Sequence, residues 1–119
     1  MDLPAGFTYK VLALRTAIGA VPATQLGLRA TNEAGGAVPG SCDGMANFYV
    51  PGTQRTYLVC NHEIGVGNSG GVPKTFRGNP VPTYDPGSSA SGGCTVLLLD
   101  SNMDVIEHVP AISGNIRNC

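Results

Sequence analysis

Two short runs carry the side chains best suited to chemistry: Cys42-Asp43-Gly44-Met45 and Leu58-Val59-Cys60-Asn61-His62-Glu63. Each sets acidic or metal-capable groups where a β-strand begins or ends. Asp43 offers a carboxylate to a hard cation such as calcium, and its bland reading is an Asx-turn ahead of a strand. In an extended strand Cys60 and His62 point to one face and Glu63 to the other. Taken locally they are credible ligands, yet a cluster drawn from a single strand is better read as structure. The last residues, Ile116-Arg117-Asn118-Cys119, read as the opening of a third such run. Arg117 has the planar fork that clamps phosphate, and Cys119 a thiolate for a soft or borderline metal.

Several more familiar motifs fail on inspection. Gly65-Val66-Gly67-Asn68-Ser69-Gly70 has the G-x-G-x-x-G form, but Gly71 and Pro73 follow where a dinucleotide fold needs a helix start. Lys74-Thr75 is not a phosphate loop, because Pro73 occupies the position reserved for Gly. His62-Glu63 is not a zinc-protease motif, since Val66 stands where the second His belongs. Cys42, Cys60, Cys94 and Cys119 show no C-x-x-C spacing, which weakens zinc-ribbon and thioredoxin-like readings. They are too few and too spread for a dense disulfide scaffold. Cys60 and Cys94 lie in apolar strand runs and read as buried, inert thiols.

The elements that must hold these residues are β-strands and loops. The 119 residues include 17 Gly and 9 Pro, with only 13% charged, which argues against a helical bundle. A net charge of -1 leaves no electrostatic footprint for nucleic acid or an anionic membrane. No run approaches the ~20 apolar residues of a transmembrane helix, and the opening Met1-Asp2-Leu3-Pro4 carries no signal-peptide pattern.

Residues 3–6 form a turn ahead of a strand-forming run, Phe7 to Leu14. Residues 15–40 are small, polar and broken by Gly and Pro, with weak helical periodicity. Strands are expected at 46–50 and 56–61, joined by a Pro51-Gly52 turn. Ile64 to Gly93 is a long excursion with 16 Gly, Pro or Ser among 30 residues, of the kind that serves as a functional loop or remains disordered. Cys94 to Leu99 is apolar throughout and predicts a strand buried on both faces; 104–109 completes a second hairpin. Asp85, Asp100 and Asp104 read as turn formers. The expected fold is all-β, with one four-stranded antiparallel sheet the size of a propeller blade. A strand apolar on both sides needs further sheets to cover it.

In order along the chain, Leu3-Pro4-Ala5-Gly6-Phe7-Thr8-Tyr9-Lys10-Val11-Leu12, Asp43-Gly44-Met45-Ala46, Leu58 to Glu63, Gly92 to Leu97 and Ser113 to Cys119 resemble the N-terminal part of PhoX-type alkaline phosphatases. The Asp-Gly-Met and Asn-His-Glu elements are the most specific part. The resemblance implies a β-propeller around ferric iron and calcium that hydrolyses phosphate monoesters and is periplasmic or secreted. It also implies that Cys119 ligates iron, that Asp43 and Glu63, with His62, lie at the metal site, and that Arg117 binds phosphate. Cys42 departs from the family, where many relatives carry His. The expected organisation is an N-terminal strand and loop over 1–40, a first blade over 41–112 with the loop 64–93, and the start of a next blade over 113–119. On this reading the chain is an incomplete propeller, inactive by itself and partnered by the remaining blades. The competing readings are a non-catalytic propeller-type binding module and a small self-associating calcium-binding domain.

Overall fold

The computed structural model describes residues 3–9, 12, 17–18, 21–22, 39–65, 71–87 and 90–115. These residues are all-β, without a helix. The strands are β1 (Ala17–Ile18), β2 (Val21–Pro22), β3 (Cys42–Val50), β4 (Arg55–His62), β5 (Thr75–Phe76), β6 (Asn79–Pro80), β7 (Gly92–Leu99) and β8 (Val105–Asn115). β3, β4, β7 and β8 form one antiparallel sheet in that order, while β1–β2 and β5–β6 are small separate ribbons.

The turns explain why the sheet closes as a meander. Thr53 N–H donates to Val50 O at 3.2 Å, and Gly52 has φ +82°, so Pro51-Gly52 make the type II turn that their residue types predict. Register then runs from Val50↔Arg55 to Met45↔Cys60. Asp100 caps the second hairpin by accepting from the Asn102 and Asp104 backbone amides, each at 2.9 Å. Asp85 does the same for Gly87 at 2.7 Å. Both behave as the turn formers expected of them.

Alternation along β4 and β7 separates two faces. Cys60, His62, Gly93, Thr95, Leu97 and Leu99 are buried on one, joined by His108 and Ser113 from β8. Cys94, Val96 and Leu98 on the other are only half-buried. The apolar run of β7 is therefore covered on one side in this chain, not on both. The excursion contributes Ile64, Val72, Val81 and Ala90 to the buried set.

Within that excursion, residues 71–87 hold regular structure that their composition does not predict. Arg77 and Gly78, both at positive φ, make a two-residue hairpin between β5 and β6. Residues 82–85 then hydrogen-bond along the outer edge of β8, with Ser113 N–H to Pro82 O at 2.9 Å and Tyr84 N–H to Ser113 O at 2.9 Å. The β8 edge is thus paired at its Ser113–Gly114 end, whereas β3 is the other edge and is exposed along most of its length.

Three expectations change. Of the expected run Phe7 to Leu14, Phe7, Thr8, Tyr9 and Leu12 lie outside strands and Phe7 and Tyr9 are exposed, so strand-forming side chains alone do not fix a strand at these positions; residues 10, 11, 13 and 14 lie outside the described residues. β3 begins four residues before the expected 46, and β8 continues past the expected 109 to Asn115. Cys60 is not a free thiol: it is bonded to Cys42, with a Cα–Cα separation of 6.1 Å.

Candidate functional site

One end of the sheet gathers the start of β3, the end of β4 and the start of β7. Its shape depends on a β-bulge. Met45 pairs with Cys60, but Cys42 pairs with His62, so Asp43 and Gly44 together oppose Asn61. A regular register would place Cys42 opposite Glu63, on the face away from Cys60. The one extra residue turns Cys42 to the face of Cys60. The disulfide is possible only with that bulge, and its Cα separation of 6.1 Å lies in the normal range.

His62 anchors the end of β4. It is 2% exposed, its Nδ1 lies 2.9 Å from Gly40 O, and its Nε2 lies 2.8 Å from Thr95 Oγ1. A carbonyl only accepts, so Nδ1 carries the proton and the Thr95 hydroxyl donates to Nε2. Burial holds the imidazole pKa below its ordinary value, partly opposed by the Gly40 hydrogen bond. The ring is neutral and both nitrogens have protein partners.

The entry to β3 is held by the same contacts. Ser41 adopts φ +51°, a left-handed conformation that costs a non-glycine residue roughly 1–2 kcal/mol. Gly40 O accepts from His62, and Ser41 O accepts from the Glu63 backbone N–H at 2.9 Å. These bonds tie the strained dipeptide to the strand end that carries Glu63. Strain maintained this way is common where a site must be shaped.

Opposite the bulge, Asn61 Oδ1 accepts from the Cys94 thiol at 2.7 Å. Burial pushes that thiol's pKa up, which keeps it protonated and able to donate. A Cβ built on Gly44 would reach Asn61 Nδ2 at 3.5 Å, an ordinary contact, so the amide sits between the bulge and β7.

Register therefore brings Asp43, His62 and Glu63 to one sheet end, with Asp43 and Glu63 exposed. Arg117 and Cys119 lie outside the described residues. Among the described residues no group of three or more His, Cys, Asp or Glu is placed to hold a metal. Asp43 and Glu63 fit a hard cation by chemistry, as two of the roughly six to eight oxygens calcium takes. His62, as bonded here, has no nitrogen left for iron. The Cys42–Cys60 bond, the Asn61–Cys94 pair and Thr95 were not singled out from sequence. Gly44, a glycine inside β3, is the one sequence signal of the bulge that produces the first of them.

The family model for alkaline phosphatase PhoX matches the chain over residues 1–119. Comparison with curated proteins and with solved structures finds no match.

Proposed function

The chain belongs to the alkaline phosphatase PhoX family, and from that premise we propose that it forms part of the cation-bearing site of a phosphate-monoester hydrolase. The family match over residues 1–119 carries this reading. The convergence of Asp43 and Glu63 at one sheet end supports it. In this reading the blade-sized meander is one blade of a β-propeller, and further blades cover its half-buried face.

The residues divide by chemistry. Asp43 and Glu63 hold calcium through carboxylate oxygens. His62 positions the Glu63 strand end through its two hydrogen bonds rather than by ligation. Cys119 is assigned to ferric iron by the resemblance, and Arg117 to the substrate phosphate by the planar fork of its guanidinium. Bound cations supply charge neutralisation at the phosphoryl oxygens and an oxygen nucleophile at moderate pH. The disulfide favours an oxidising compartment, in keeping with a periplasmic or secreted protein.

The test is p-nitrophenyl phosphate hydrolysis by the protein with the further blades of this reading present, supplied with ferric iron and calcium, alongside Asp43→Asn and Glu63→Gln. Each variant is expected to lose about tenfold to a hundredfold in kcat/KM, the scale seen when groups supporting a metal are removed. No hydrolysis by the correctly metallated full-length protein overturns the reading, whereas the 119 residues alone are expected to be inactive.

A second reading, a self-associating calcium-binding domain without catalysis, is favoured by the edge strand β3. There Met45, Phe48 and Tyr49 are 58%, 57% and 60% exposed. Calcium binding with concentration-dependent sedimentation and no turnover would select it.

A further inference from the structure

The bulge brings Cys42 to the face of Cys60, and the disulfide bridges the bulged strand to β4. Without the extra residue, Cys42 would oppose Glu63 and point away from Cys60. With the bond formed, Cys42 cannot return to that register. Asp43 and Gly44 are therefore locked as the two residues facing Asn61. We propose that Cys42–Cys60 is a redox clamp on this bulge. Oxidised, it fixes Asp43 beside the Glu63 strand end; reduced, it frees β3 to slip toward the regular register.

Access is one-sided. Cys42 is exposed, whereas Cys60 is buried. A dithiol oxidoreductase or small dithiol therefore attacks through its thiolate at the Cys42 sulfur. The S–S bond breaks and Cys60 leaves as a thiolate that takes a proton. The second thiol of the reductant then displaces Cys42, which is also protonated. The protein disulfide becomes two thiols, and the dithiol is oxidised to its own disulfide. Cys94 takes no part, since its thiol donates to Asn61 and register sets it on the face away from Cys60.

Other contacts at the strand entry would feel the slip. The Gly40 and Ser41 carbonyls are positioned on His62 and Glu63 by the bulged register. Losing that register lets the left-handed Ser41 relax, so reduction should loosen residues 40–45 before the sheet centre. The consequence for a cation rests on the carboxylate reading above; the clamp itself does not.

The experiment compares the oxidised chain, the chain reduced with dithiothreitol, and Cys42→Ser. Amide hydrogen exchange is followed by mass spectrometry, and terbium(III) luminescence reports cation binding. Exchange over residues 42–45 and 61–63 is expected to quicken by about tenfold or more on reduction, while the amides of β7 stay protected. Cys42→Ser should match the reduced chain and ignore dithiothreitol. Terbium binding should weaken severalfold in both. Unchanged exchange at the bulge overturns the clamp, as does uniform loss of protection across the whole sheet, which would make the bond a general staple. Faster exchange at the bulge with no terbium binding in either state upholds the clamp and removes the carboxylate site instead.

Discussion

The Thr95 hydroxyl donates to Nε2 of His62 across 2.8 Å, joining the end of β4 to β7 inside the sheet's buried face. Both residues are almost wholly enclosed, so neither can exchange its partner for bulk water. Removing one side of such a bond leaves the other unsatisfied, at a cost of about 1–3 kcal/mol. Thr95→Val keeps the shape and deletes the donor. Its urea midpoint should fall by that equivalent, with an unchanged slope, while Thr95→Ser should retain most of the stability.

The same histidine gives the fold a pH dependence of defined sign. Burial lowers the folded-state pKa of His62 below its ordinary value near 6.5, so the unfolded chain binds the proton more readily. Stability from this group is complete above about pH 6.5 and is lost progressively as pH falls below it, by at most ~1.4 kcal/mol per unit. Denaturation curves between pH 7.5 and 5 should show the decline. His62→Gln should flatten it, although less stable throughout.

Gly93 is the position where the backbone leaves no room. Its φ is +150°, and a Cβ there would overlap the Ile112 carbonyl and the Ser113 Cα on β8. Both obstacles are main chain within the paired sheet, so neither can swing aside. Gly93→Ala should therefore cost more than about 3 kcal/mol, in the range of severe single substitutions. Soluble yield and thermal midpoint check this, with Gly44→Ala as the mild comparison, because its Cβ meets only a side-chain amide at 3.5 Å.

What the sequence reveals about this sheet follows from periodicity and turn chemistry. Pro51-Gly52 and the Asp100 turn are both specified by local residue types, and together they dictate a meander. The pairing of Cys42 with Cys60 is hidden because the turn register places Met45 opposite Cys60. Only the bulge, whose one local signature is Gly44 inside β3, brings Cys42 to the correct face. The strand formers at Phe7 to Tyr9 mislead for the opposite reason. They have the composition of a strand, yet they are exposed and unpaired among the described strands, and packing context decides. Asp43 and Glu63 are legible as carboxylates at strand ends, but their meeting at one end needs the register.

The Arg77–Glu107 ion pair tests how little an exposed charge contributes. The guanidinium reaches Glu107 at 2.8 Å while stacking 4.8 Å above the Phe76 ring. Both charged groups are well solvated, with side chains 58% and 33% exposed. Screening and side-chain entropy leave such pairs worth about 1 kcal/mol or less. Glu107→Gln should shift the thermal midpoint only slightly, and 1 M salt should erase the difference. Arg77→Gly should cost somewhat less than the loss of pair and stacking alone implies, since Arg77 sits at φ +49° where glycine is at ease.

Calcium should stabilise this chain through Asp43 and Glu63 if the two carboxylates share a cation. Two like charges at one sheet end repel, and a bound dication reverses the sign of that interaction. A ligand that binds only the folded state at a hundred times its Kd adds about 2.7 kcal/mol. Thermal melts with and without calcium measure the increment directly. Asp43→Asn and Glu63→Gln should each abolish most of it while leaving the calcium-free midpoint equal or slightly higher, because one repelling charge is gone. The same pair of melts on Cys42→Ser separates ligand loss from geometry. That variant keeps both carboxylates, so a reduced calcium increment there reports the bulge alone.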